Sequence, residues 1–75
     1  MLPLRHCVSE VLEHYFTQLE GHRPSDLYRI VIKEIERALL GTVMKEVTNN
    51  QTNAAAILGV TRSTLRTKLK QHKML

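Results

Sequence analysis

The sequence holds a single cysteine, Cys7, so no disulfide can form within the chain. Its three glycines are isolated and make no phosphate-cradling loop. Paired carboxylates and nucleophile motifs are missing too, and with them the usual signatures of an enzyme. No long apolar run opens the chain, because Pro3, Arg5 and His6 interrupt it at once. That argues against a signal peptide or membrane span and for a reducing, cytoplasmic compartment, with Cys7 a free thiol. Internal repeats and low-complexity stretches are absent. No segment alternates with period two, so strands are not expected. Acidic residues are missing altogether from the last stretch, 50–75.

With 75 residues the chain makes one small domain. Such a domain buries only ~60% of the surface its unfolded chain exposes. Without a disulfide, the deficit falls to a metal, a partner subunit or unusually good packing. The metal candidates are His6, Cys7, His14 and His22. Cys7 and His14 are two helical turns apart, but structural zinc usually needs four well-spaced ligands. The expectation is therefore an inert thiol, exposed imidazoles and no cofactor.

The net charge of +4 is unevenly spread. Residues 1–20 set Arg5 against Glu10, Glu13 and Glu20, and residues 21–49 hold five basic and four acidic side chains. Residues 50–75 hold Arg62, Arg66, Lys68, Lys70 and Lys73 with no acid. A terminal block of one sign reads either as a polyanion-binding surface or as a solvated basic tail, and composition alone does not choose.

Four helices are expected. Val8, Val11, Leu12, Tyr15, Phe16 and Leu19 form the stripe of an amphipathic helix from Leu4 or Ser9 to Leu19, closed by Glu20-Gly21. A second helix starts near Ser25 as N-cap and runs to about Thr48. Its apolar residues, from Leu27 and Tyr28 through Ile35 to Leu39 and Val43, cover an arc of roughly 200°, about twice what a surface helix needs. The first helix and the short C-terminal helices can cover part of that arc. A second copy of the chain is the expected cover for the rest, against the alternative of a tight monomeric bundle. Gly41 marks either a close approach or a bend. Asn50 caps a third helix, Gln51 to Leu58, with Ala54, Ala55 and Ala56 as its small face. Gly59-Val60 turns the chain, and Thr61 caps a fourth helix to about His72 with Leu65 and Leu69 pointing inward.

Residues 50–72 thus read as helix, tight glycine turn, helix. In a helix-turn-helix the second helix enters the DNA major groove and its early residues touch base edges. Arg62 and Arg66 lie one turn apart, and arginine can pair with two acceptors of guanine at once. Asn50, Thr52 and Thr64 lie near helix starts, where they can donate to phosphates.

The run Asn50-Gln51-Thr52-Asn53-Ala54-Ala55, followed by Leu58-Gly59-Val60-Thr61-Arg62-Ser63-Thr64-Leu65-Arg66, resembles the helix-turn-helix shared by the Fis family and the C-terminal domains of NtrC-type activators. The segments from Tyr15 to Gly21, Asp26 to Tyr28 and Glu34 to Leu40 are similar to the Fis family in particular, so the resemblance covers nearly the whole chain from Leu2.

It implies an all-α, four-helix protomer in an intertwined homodimer. Residues 1–49 would be the dimerisation helices and 50–75 the helix-turn-helix, within one compact domain. It implies a bacterial, nucleoid-associated regulator of transcription that binds degenerate, AT-rich, bendable duplexes, with RNA polymerase and other transcription factors as further candidate partners. Recognition helices set too close for straight DNA force the duplex to bend, so deformability is read as energy. Mapped onto this sequence, Arg62, Arg66 and Thr61 would contact bases. Asn50, Thr52, Asn53, Thr64, Thr67, Lys68, Lys70 and Lys73 would lie on or near the backbone.

This sequence departs from the family pattern in three ways. Thr61 stands where asparagine is common, and Asn53 and Thr67 stand where basic residues are common, which predicts fewer contacts and lower affinity. The longer N-terminal arm through which some members activate DNA invertases is missing from the sequence. It is therefore expected not to stimulate inversion, which an assay with a cognate recombinase checks. Two other readings are a dimerisation module without DNA contact and a stand-alone relative of the activator domains. Arg62 and Arg66 argue against the first, and partnership with an ATPase-driven polymerase would mark the second.

Overall fold

The computed structural model describes residues 2–75. Among them the chain forms four helices and no strand: α1 (Leu4–Gln18), α2 (Leu27–Glu46), α3 (Gln51–Leu58) and α4 (Arg62–Gln71). The all-α, four-helix expectation holds in order and type, and the differences lie at helix ends. Ser25 is not the cap of α2. Asp26 takes that place with a left-handed backbone (φ 58°) and no capping bond. It instead pairs with Arg29 at 3.5 Å. Helix α2 stops at Glu46 rather than Thr48, because Thr48 and Asn49 both turn left-handed (φ 52° and 63°). The Asn49 N–H then reaches back to the Met44 carbonyl at 2.8 Å, closing the helix end.

The C-terminal helices end as their residues dictate. The Asn50 side chain accepts from the Asn53 N–H, and the Thr61 hydroxyl accepts from the Thr64 N–H, each at 3.1 Å. Both satisfy amides that a helix start leaves without partners. Gly59 sits at φ 74°, which lets the Val60 N–H return to the Ala55 carbonyl at 3.1 Å. A side chain at that backbone geometry would be strained.

The buried core lies entirely in the second half of the chain. It consists of Leu40 and Met44 from α2, Ala54 and Ala55 from α3, and Leu65 and Leu69 from α4. Val43, Val47, Leu58 and Met74 pack around it. Ala56, expected on the packing face, is exposed. The two alanines let α3 lie close to α4, and both leucines are essentially fully covered. A methyl added at Gly41 would meet Met74 Cε at an ordinary 3.7 Å, so contact within the protomer does not require glycine there.

The first half is different. Helix α1 has no buried residue. Between α1 and the start of α2 runs an open apolar groove of about 430 Å³, walled by Val8, Val11 and Leu12 on one side and Ile30, Val31 and Ile35 on the other. Tyr28, Ile32 and Leu39 lie about a third of a turn further round α2, at 100° per residue, and are also exposed. The result is an elongated protomer of 45 × 27 × 17 Å. Its radius of gyration is 15.0 Å, against ~11 Å for a compact chain of this length. Its accessible surface is 6359 Å², against ~4,700 Å² expected for a compact monomer of this mass.

Candidate nucleic-acid interface

Helix α4 turns Leu65 and Leu69 into the core, with His72 buried just past its end and Lys68 half-buried on one flank. Arg62, Arg66, Thr67, Lys70 and Lys73 are all exposed. Arg62 makes no salt bridge among the described residues. Arg66 follows one turn on, so the two arginines leave the helix at backbone positions ~6 Å apart along the axis. Such a pair at the start of a helix packed on a second, shorter helix can meet adjacent acceptors along a groove or a phosphate chain.

The other candidate residues divide by how free they are. Asn50 and Thr52 lie at the start of α3 and are exposed, but the Asn50 carbonyl oxygen is already used by the cap. The Thr61 hydroxyl is engaged twice, accepting from the Thr64 N–H and donating to Thr64 Oγ1 at 3.0 Å. Thr67 Oγ1 donates into its own helix, to the Ser63 carbonyl. Asn53 is exposed one turn into α3. Lys68 lies on the opposite flank of α4 from Arg66, where its Nζ meets Glu36 Oε2 at 3.0 Å. The structure therefore gathers Arg62, Arg66, Lys70 and Thr67 on one outward surface and draws Lys68 back toward α2.

That Glu36 contact belongs to a cluster absent from the sequence-derived set. His72 is 4% exposed, and its Nε2 lies 2.7 Å from Glu36 Oε1. A carboxylate only accepts, so Nε2 carries the proton of that bond. Nδ1 is buried without a partner. Arg37 Nη1 donates to the His72 carbonyl at 3.0 Å. Two adjacent residues of α2 thus clamp the C-terminal end of α4. The signal was available for His72, which continues the buried i, i+4, i+7 stripe of Leu65 and Leu69. Nothing in the sequence marked Glu36 as its partner.

The Glu36 carboxyl is held below its ordinary value of 4.5, first by the hydrogen bond from His72 and then by the one from Lys68, with burial opposing. A depressed carboxylate contributes stability that is complete above its unfolded value and lost as pH falls through its folded value. Acid melts should therefore show a loss of stability below about pH 4.5 that Glu36→Gln lacks. At neutral pH, Glu36→Ala leaves the buried His72 donor unpaired and should cost about 1–3 kcal/mol. Equal acid limbs in melts of both proteins would contradict this.

Among the described residues no group of three or more histidine, cysteine or acidic side chains is placed to hold a metal. Cys7 is exposed on the groove wall. Among the described residues no helix is long and apolar enough to cross a membrane.

A helix-turn-helix built on a third, longer helix, with an arginine pair at the start of its outer helix, defines a regulatory-protein fold. Residues 31–72 match the family described as bacterial regulatory protein, Fis family. The chain is 47% identical over 73 residues to a Fis-like DNA-binding protein of Ralstonia nicotianae, covering 97% of this chain and 95% of that one. It is 49% identical over 72 residues to the DNA-binding protein Fis of Actinobacillus succinogenes, covering 96% of this chain and 73% of that one. The DNA-binding protein Fis of Yersinia enterocolitica is equally similar, with 96% and 74% covered. The chain belongs to the Fis family of bacterial regulatory proteins.

Proposed function

We propose that this chain is a non-enzymatic, cytoplasmic regulator that binds duplex DNA as a homodimer in the nucleoid. Each protomer lays α4 in a major groove, with Arg62 and Arg66 on base edges. The observation that carries the reading is the exposed arginine pair on the outward face of α4, on a helix-turn-helix of this family. Asn50, Thr52, Asn53, Thr64, Thr67, Lys70 and Lys73 are the candidates for the phosphates. Thr61 serves the reading mainly as the cap that aims α4, because its hydroxyl is already engaged. Lys68 reaches a phosphate only by leaving Glu36.

Two identical recognition helices on one dimer fit two half-sites about one helical turn apart. Where the helices are closer than that, binding bends the duplex, which favours deformable, AT-rich sequence. RNA polymerase and other transcription factors are the partners such a bound dimer would act on. Fluorescence anisotropy of an AT-rich duplex over a salt series tests the DNA reading. Affinity should fall linearly in log–log form, with a slope of roughly −0.9 per phosphate neutralised. Energy transfer between dyes at the two duplex ends reports the bend.

The dimer is supported by the apolar surface the protomer leaves open. The groove between α1 and α2, with Tyr28, Ile32 and Leu39 beside it, is flanked rather than covered. The surface in excess of a compact monomer is roughly 1,700 Å² per chain, in the range that obligate dimers bury.

A further inference from the structure

We propose that Gln51 is a positioning residue for Arg66. Its side-chain carbonyl accepts from Arg66 Nη1 at 3.0 Å and aims the guanidinium before DNA arrives. The inference rests on the DNA-binding reading and extends it to what distinguishes the two arginines of α4. Among the described residues Arg62 has no hydrogen-bond or ion-pair partner, whereas Arg66 is tethered across the turn to the first residue of α3.

Three features make Gln51 suited to this. It is half-buried, so its own stem is held. The helix start does not need its side chain, because Asn50 already caps α3. Its amide oxygen is a neutral acceptor, so it holds the guanidinium without cancelling the charge that attracts DNA. Of the five donors of an arginine, the tether uses one. Nε and Nη2 stay available as an edge for a paired acceptor such as the N7 and O6 of guanine, or for two phosphate oxygens. A long side chain fixed in advance loses less freedom on binding, and a guanidinium fixed in direction tolerates a displaced acceptor poorly. Arg66 is thereby the geometrically strict reader of the pair, and Arg62 the adaptable one.

A double-mutant cycle on the full chain tests this, using Gln51→Met, which keeps length but has no carbonyl, Arg66→Ala and the combination. The quantity read is the ratio of affinities for a preferred AT-rich duplex and for duplexes altered one base pair at a time. Gln51→Met should lower that ratio about ten-fold and leave the salt slope and melting temperature unchanged. It should have no further effect in the Arg66→Ala background. In the free protein, ¹⁵N relaxation at Nε should show Arg66 becoming more mobile in Gln51→Met, with Arg62 unaffected. Gln51→Glu, which keeps an acceptor, should restore the order of Arg66 while weakening binding to every duplex alike.

Equal losses from Gln51→Met in both backgrounds would overturn the proposal, since Gln51 would then act on DNA by itself. So would unchanged mobility of Arg66. If the unaltered chain fails to bind any duplex, the DNA reading falls instead. The relaxation measurement then still decides whether Gln51 orders Arg66.

Discussion

Arg62→Ala is expected to lower affinity for an AT-rich duplex by roughly thirty- to twenty-thousand-fold, because a good bidentate base contact contributes ~1–3 kcal/mol and a dimer loses two of them. Arg62 is the clean site for this test. It is exposed at the first position of α4 and contributes nothing to the core, so its removal leaves the fold intact. Arg62→Lys separates charge from geometry. Lysine keeps the attraction to phosphates but lacks the planar fork that pairs with two acceptors. It should therefore preserve the salt slope while losing discrimination between duplexes. Anisotropy across a salt series reads both quantities. If wild type, Arg62→Ala and Arg62→Lys bind weakly and alike, the basic block is a solvated surface and the groove-reading assignment fails.

Val31→Glu should convert the protein to a monomer and weaken DNA binding about 10²- to 10⁴-fold, the advantage two linked half-sites hold over one. Val31 is half-buried on the wall of the α1–α2 groove, outside the buried core formed with α3 and α4. A carboxylate there would have to be desolvated beneath the second copy, which is costly for a charge without a partner. The helix-turn-helix core draws on Leu40 and residues beyond it, so its local packing does not include Val31. Sedimentation equilibrium gives the mass, and far-UV circular dichroism reports whether the C-terminal helices persist. A wild type that sediments as a monomer, or a Val31→Glu protein that remains a dimer, would remove the second copy from the reading.

The two halves of the chain were legible to different degrees. The helix-turn-helix could be read closely because its determinants are local. Asn50 and Thr61 cap the helices they precede, Gly59 supplies a left-handed turn, and Leu65 and Leu69 recur at helical spacing. The start of α2 could not be read so well. Ser25 is a good cap by residue type, yet the loop after Pro24 brings Asp26 to the helix end in a left-handed conformation. Ala56 shows the same limit, since three consecutive alanines cannot all face one neighbour on a helix.

At the candidate interface, charge and order along the chain identified Arg62 and Arg66 as a pair, but not that one would be tethered and the other free. Gln51 and Arg66 are 15 residues apart, and Glu36 and His72 are 36 apart. Pairings over such separations depend on how α3 and α4 pack on each other and on α2, which no local pattern encodes. The same packing turns Lys68 away from the arginines, although composition places it in one basic block with them.

What the amino-acid sequence by itself determined is the helical class, the four segments, the caps and turn of the last two, and the concentration of positive charge beyond residue 50. These follow from side-chain periodicity, backbone preference and charge, each expressed within a turn or two. Only the tertiary structure decided that the buried core belongs to the second half, that Glu36 and Arg37 clamp the end of α4, and that Gln51 holds Arg66. Those outcomes depend on which helix faces meet, because a side chain far along the chain becomes a partner only when packing brings it within hydrogen-bond reach.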